Sequence, residues 1–279
     1  MDIRPSPIAG AWYPGRRDSL AASIDRFLGG PTPRAGANEL VGLIAPHAGH
    51  EYSGAVAGRA FTLARGLHPD VVVVVSPMHT MASAPVLTTG HQAYQTPLGV
   101  IPVDREAVRA VSALLEKKAG FGLHPLRNDR EHSIEIELPF LQRALGEFHL
   151  LPVMILDQRE ETAEQLGRAL AESLAGRKVL LVASSDLSHR LPADVAGALD
   201  REMLRRMEAF DPAGVMRAED EGTGFACGRA AIAAVLWAAR GLGASKVEIL
   251  AYATSGDVTG DYSAVVGYGA AAIWRAMPS

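Results

Sequence analysis

The chain has one cysteine, Cys227, in 279 residues, which excludes an intrachain disulfide and the stapled secreted scaffolds that depend on several. A lone thiol in such a chain is a structural group, a metal ligand or a nucleophile. No apolar run approaches the roughly 20 residues that a membrane-spanning helix needs. The opening, MDIRPSPIAGAWYPG, has no charged segment followed by an apolar one of the kind that directs export, so the expectation is a cytoplasmic protein. Charge of one sign is also scarce. With 27 Lys and Arg against 31 Asp and Glu, the net charge is -4, and no basic stripe marks a nucleic-acid surface; neither nucleic acid nor a membrane is an expected partner. Repeats of solenoid period, low-complexity tracts and long linkers are absent. The one Pro/Gly-rich stretch, GGPTPRAGAN at 29–38, reads as a loop between an N-terminal helix and the first strand.

What the chain does have is apolar residue, 48% of it, enough for a large core. Short β-branched runs alternate with segments of helical period, which is the pattern of an α/β protein. LVGLIAP at 40–46 reads as a buried strand, 52–66 as a helix, and DVVVVVSP at 70–77 as a strand covered on both faces, because five consecutive valines show no alternation. Together these make a βαβ unit. Short strands and turns are expected over 80–103, then a helix at 104–118 and an amphipathic helix at 131–146 with a proline that kinks it. Next come a strand in FHLLPVMIL, a helix in ETAEQLGRALAESLAG, a buried strand in KVLLVASS and helices over 193–210 and 226–243. Strands KVEILAYATSG and YSAVVGYGAAAIW close the chain. The expected architecture is one α/β domain over 1–279, with a mostly parallel or mixed central sheet flanked by helices.

Titratable residues collect at the ends of these apolar runs. His47 follows the first strand in IAPHAG, His79 the second in SPMH, Asp186 and His189 the KVLLVAS strand in SSDLSH, and Asp257 the AYATS strand. The carboxyl ends of strands in an open parallel sheet share one edge, where ligands bind. Imidazole suits Zn, Cu, Fe and Ni, and a thiolate discriminates against Mg and Ca, so His47, His79 and Cys227 would form a three-ligand site with positions left open. His189 would then be an acid/base oriented by Asp186. Taken singly, a histidine at a strand end is more often a hydrogen-bonded loop residue than a ligand, and Cys227, at the start of an apolar helix in GFACGRA, is by default a small buried hydrophobe. Its place at a helix N-terminus lowers the expected thiol pKa. His50 is a second imidazole in the site or a residue behind it, and Glu131 with His132 a polar pair at a helix start. His68, His91, His124 and His149 read as surface or loop residues. Cys227 as a hydrolytic nucleophile finds no local cysteine-hydrolase signature, and no GxSxG elbow offers a serine instead.

The ordered set IAGAWYPG, APHAGHEYSGAVAGRAF, TPLGVIPVD, EHSIEIELPFLQ, ASSDLSH, ACG and YATSGDVTGDYSAVVGYGA resembles, nearly end to end, the Memo family (mediator of ErbB-driven cell motility). Bacterial and archaeal members of that family are often labelled AmmeMemoRadiSam system protein B. The resemblance implies a fold similar to the class III, LigB-like non-haem iron extradiol dioxygenases. In those enzymes two histidines and a carboxylate hold Fe(II), leaving room for a catechol and dioxygen. By that likeness His47 and His79 match the histidine ligands, Cys227 stands in place of the carboxylate, and His189, with Asp186 beside it, matches the acid/base histidine. The thiolate softens the site, so Cu or Zn competes with Fe(II). Two positions depart from the family pattern: His50 replaces the tyrosine after PHAG, and Ser76-Pro77-Met78-His79 replaces Gly-Pro-Ser/Asn-His, which puts a thioether beside a ligand.

Two functions follow as expectations. One is a metal-dependent oxidoreductase acting on a small organic molecule. The other is a non-catalytic pocket for a peptide or small ligand, with a vestigial metal site, as the family's animal members are thought to use in signalling. The family label also implies companions, a radical SAM protein among them.

Overall fold

A computed structural model describes residues 1–29 and 38–276; most of the loop expected at 29–38 lies outside the described residues. The strands are β1 (Ile3–Arg4), β2 (Asn38–Ala45), β3 (Val71–Pro77), β4 (Val86–Thr89), β5 (Ala93–Thr96), β6 (Gly99–Pro102), β7 (His124–Leu126), β8 (Leu150–Ile155), β9 (Val179–Ser184), β10 (His189–Leu191), β11 (Lys246–Thr254) and β12 (Val265–Ala276). The helices are α1 (Arg17–Phe27), α2 (His50–Phe61), α3 (Arg105–Ala119), α4 (Leu138–Leu145), α5 (Glu160–Ser173), α6 (Ala193–Glu208), α7 (Pro212–Asp220), α8 (Arg229–Gly241) and α9 (Gly256–Thr259). None of them is long and apolar enough to cross a membrane.

The fold is α/β. Its main sheet has the order β10-β12-β2-β9-β3-β8-β4-β7, with β11 also paired to β12. The four central strands β2, β9, β3 and β8 are parallel, and antiparallel pairings flank them on both sides, so the sheet is mixed. In the β2-α2-β3 unit, β9 lies between the two strands. A small second sheet, β1-β5-β6, stands apart.

The five valines show how the sheet is covered. Side chains alternate along a strand: Val71, Val73 and Val75 join α3, α5 and α8 in one apolar layer, while Val72 and Val74 join α1, α2 and α4 in the other. Both sets are completely buried, which is why the run shows no polar alternation. Close approach is needed on the first side, where α5 packs on α8. A Cβ at Gly167 would lie 2.6 Å from the Ala234 carbonyl oxygen, so glycine sets the helix spacing there.

Two expectations are corrected. The segment 131–146 is not one helix: a 3₁₀ turn covers Glu135–Glu137 and α4 starts at Leu138. Pro139 stands in the first turn, where no intrahelical N–H is required, so it starts the helix rather than kinking it. Helix α8 begins at Arg229 instead of 226, which leaves Cys227 on the approach to it. Helix α7 and the strands β1, β7 and β10 had no expected counterpart; each is too short or too polar at its exposed positions to declare a period.

Asp104 caps α3 by accepting from the Ala107 N–H at 2.9 Å, and its other oxygen takes Arg177 at 2.7 Å. Partial burial pushes this carboxyl up, but the amide and the guanidinium outweigh that and hold it below the usual 3.8. Asp104→Ala should destabilise the fold by about 1 kcal/mol at pH 7. Because the folded pKa is depressed, this contribution is complete above the unfolded value and is lost as pH falls through the folded one. Denaturant midpoints of variant and parent should therefore converge on acidification.

Candidate metal centre

Strands β2, β3 and β9 run parallel and deliver their next residues to one edge. His47 lies two residues past β2, where its backbone N–H and that of Ala48 donate to Asp186 Oδ1 at 2.8 and 3.3 Å. Asp186, two residues past β9, thus ties the two loops together. Gly49 caps α2 directly behind His47. His79 lies two residues past β3, and its N–H donates to Glu131 Oε2 at 2.7 Å. Cys227 donates its backbone N–H to the Asp186 carbonyl at 3.3 Å. Gly228 beside it leaves no room for a side chain, since a Cβ would lie 2.8 Å from the Ser184 carbonyl oxygen.

These placements converge. Cys227 Sγ is 3.1 Å from His47 Nε2, and one donor atom each from His47, His79 and Cys227 lie within 4.8 Å of one another. The second nitrogen of each imidazole is occupied elsewhere. His47 Nδ1 lies 3.0 Å from Ser184 Oγ, which is 2.6 Å from the Ser133 carbonyl and 2.8 Å from Glu137 Oε1. One proton arrangement satisfies all of these: Nδ1–H donates to Ser184, Ser184 to the Ser133 carbonyl, and a protonated Glu137 to Ser184. Burial pushes the Glu137 carboxyl well up, which supplies that proton. His79 Nδ1 lies 3.1 Å from Glu131 Oε1. Burial raises the Glu131 carboxyl, but the bonds from His79 outweigh it and hold the group well below the carboxylate range.

The electrostatics follow from burial. His47 is pushed well below the ordinary imidazole value by burial and then by His132 and His79, so it is neutral, with an unprotonated Nε2 facing Cys227 Sγ. For His79, burial lowers the pKa and Glu131 more than restores it. Asp186 is raised to about 7 by burial against the two amide donors. The Cys227 thiol is raised as well, by burial and then by Asp186, contrary to the lowering expected from a helix N-terminus: the thiol precedes α8 and sits in a low-dielectric pocket next to a carboxylate, and both outweigh the helix dipole.

A cavity of about 450 Å³ opens onto the site, lined by His47, His79, His132, Asp186 and His189, with Trp12 and Tyr52 at its mouth. His189 Nδ1 lies 2.8 Å from the Leu187 carbonyl, so that carbonyl, and not Asp186, fixes the ring. Asp186 turns back onto the His47 loop, while His189 has already entered β10.

The family model described as Memo-like protein matches residues 4–272. The chain belongs to the Memo family. A MEMO1 family protein of Nitrosopumilus maritimus (strain SCM1) is 34% identical over 273 residues, covering 96% of this chain and 98% of that one. A MEMO1 family protein of Methanothermobacter thermautotrophicus is 37% identical over 276 residues, with 95% and 98% covered. In fold the Memo chain is similar to an uncharacterized protein of Escherichia coli K12, with a TM-score of 0.54 at 15% identity, over 83% of this chain and 99% of the other.

Other histidines of this Memo chain separate from the site. His50 is buried between Tyr13 and Phe140, with ring centroids 5.3 and 4.9 Å away, and its Nε2 meets the Ile136 carbonyl at 2.9 Å; burial takes it down to about 4. Met78 packs in the apolar layer of α1, α2 and α4. His91, expected at the surface, is buried against Asp2. Asp257 accepts from the Thr254 N–H and caps its own turn. His132 moves the other way. Its ring lies 4.9 Å from that of His79 and 5.4 Å from that of His47, and with His79 and Glu131 it forms a second cluster of potential ligands. The sequence places it at a helix start because EHS runs straight into an apolar helical period; no helix begins there, since the 3₁₀ turn starts at Glu135 and α4 at Leu138.

The loop carrying Glu131 and His132 is held from the N-terminus. Arg4 is 1% exposed. It bonds both Asp129 oxygens, Glu135 Oε2 at 2.8 Å and the Glu131 carbonyl at 2.6 Å. Arg4→Met would leave Asp129 and Glu135 buried without their cation. A stability loss of about 3–5 kcal/mol is expected, measured by chemical denaturation.

Proposed function

We propose that the chain is a mononuclear metal-dependent oxidoreductase acting on a small organic substrate, with His47, His79 and Cys227 as ligands and His189 as the proton-handling group. The observation that carries this reading is the meeting of two imidazoles and a thiol within 4.8 Å, close enough for small side-chain shifts to bring all three to about 2.0–2.3 Å from one ion. The donor set also fits because each imidazole has its Nδ1 engaged, by Ser184 and Glu131, which directs Nε2 to the site, as the hydrogen-bond partners of metal-bound histidines do. Three protein ligands leave positions open, as catalytic sites do. Nitrogen and sulfur donors disfavour Mg and Ca, and Fe(II) is the ion that the dioxygenase likeness supports, with Cu or Zn as competitors. When bound, such an ion supplies Lewis acidity and open positions at which a small molecule is activated.

The residues around it divide the remaining work. Asp186 fixes the His47 loop through two amide N–H groups. His189 holds its Nδ1 proton on the Leu187 carbonyl, so Nε2 has the lone pair that takes a proton from bound substrate; burial lowers its pKa and keeps the ring neutral at pH 7. Trp12 and Tyr52 wall the entrance, and Val266 lines the cavity beside them.

Anaerobic Fe(II) loading followed by metal analysis, with oxygen uptake on catechols and other small phenols, tests the proposal. Parent protein should hold about one ion per chain and His47→Ala none; a parent that stays metal-free, with His47→Ala indistinguishable from it, overturns the reading. His189→Gln should keep the metal and lose about 10²- to 10⁴-fold in turnover. The parental rate should fall as pH drops through the lowered His189 pKa, where the base becomes protonated. Metal bound with no turnover of any phenol would favour the ligand-binding alternative.

Glu131→Gln removes the anionic acceptor of the His79 Nδ1–H. Metal affinity, read by competition with a chromophoric chelator, should weaken about 10- to 100-fold.

A further inference from the structure

We infer that a second ligand site lies on the far side of the sheet from the metal centre: an anion pocket between β4, α3 and β7 that takes a phosphate monoester carried on a small apolar body. The cavity measures about 400 Å³, within the usual range for small-molecule sites, and shares no lining residue with the metal pocket. Strand β8 is parallel to β3, whose end bears His79, and β4 is antiparallel to β8. The end of β4 that opens into this cavity therefore points to the opposite edge.

Arg105, Val108, Arg109 and Ser112 occupy positions i, i+3, i+4 and i+7 of α3, so one helix face carries two guanidiniums into the cavity wall. Arg127 supplies a third, and the carboxylates at the cavity's margin are already engaged, Asp2 by Arg127 and His91 and Glu116 by Ser112. The side chains of Arg105 and Arg109 have no hydrogen-bond or ion-pair partner among the described residues. The neighbouring Asp104 is committed to Ala107 and Arg177. Like charges four residues apart on a helix repel, and a bound anion relieves that repulsion.

One corner of the pocket already takes an anionic group from the chain itself. Asp2 lies 2.8 Å from Arg127 and 3.0 Å from His91. The Arg127 stem rests on Gly90, where a Cβ would come within 2.7 Å of it, and its Nη1 donates to the Gly90 carbonyl at 2.8 Å. Arg127 is thus fixed in advance, while Arg105 and Arg109 remain open to a ligand. A dianionic group with three acceptor oxygens matches two free guanidiniums better than one carboxylate does. Val103, Val108 and Leu123 give the apolar wall for the group attached to it.

Calorimetric titration of the full chain with phenyl phosphate, inorganic phosphate and benzoate tests the assignment. Phenyl phosphate should bind saturably and more tightly than either of the other two. The double variant Arg105→Gln/Arg109→Gln should bind it about tenfold more weakly or worse, with an unchanged melting temperature. Arg59→Gln, at an exposed position on α2, should bind like the parent. Equal affinity for benzoate would overturn the phosphate assignment, and equal affinity for inorganic phosphate would overturn the apolar body. Undiminished binding in the double variant, or an equal loss in Arg59→Gln, would overturn the site.

Discussion

Arg4 is buried with its guanidinium between Asp129, Glu135 and the Glu131 carbonyl, and a charge so far from water is tolerated only while those acceptors hold their positions. The loop 129–134 is irregular, and irregular backbone inside a protein must find its hydrogen bonds locally. It does so through two carboxylates. Asp129 meets Arg4, while Glu131 accepts from the His79, His132 and Ser133 amides and from the Ser133 hydroxyl. The orientation of His79, and the place of His132 beside it, depend on a residue at position 4 of the chain. Ser6 and Tyr13 add hydroxyls to Glu135, which extends the same network toward Trp12 at the mouth of the cavity.

The sheet makes the complementary contribution. Parallel strands place the residues that follow them on one edge, and the two apolar layers on either face make that edge rigid. His47 and His79 are carried in this way, each two residues past a strand whose side chains enter the two buried layers alternately. Asp186 links the loops by accepting amide protons, a structural duty that also explains why it is not free to orient His189. Cys227 arrives from a different direction, ahead of α8, and is admitted only because Gly228 has no side chain. The site therefore joins regular elements, which fix the two imidazoles, to irregular segments, which bring the thiol, Glu131 and His132.

Legibility followed the same division. The valine run, the strand ends at His47 and His79 and the α/β class were plain in the sequence, because apolar periodicity is local and the carboxyl edge of a parallel sheet is shared. The segment 131–146 was misjudged because Glu135, Ile136 and the residues of α4 do have helical spacing, and nothing local shows that Glu131 spends its carboxylate on the amides of its own loop. His132 was for that reason placed at a helix start and not in the cavity. His91 was misplaced on the opposite ground: polar surroundings in sequence suggested the surface, but Asp2 and Asn128 meet it from distant parts of the chain.

By itself the sequence determined the class of fold, the family and the residue types available for chemistry, since these depend on composition, period and ordered motifs. Only the tertiary structure decided which donors meet and in what protonation state. Cys227 and His47 are 180 residues apart and 3.1 Å apart, and no periodicity encodes that contact. Burial, a property of the assembled layers, raised the thiol that a helix N-terminus alone would have lowered. The same holds for His189, whose partner proved to be the Leu187 carbonyl: side-chain direction is set by the turn into β10, and that turn exists only because β12 is there to pair with it.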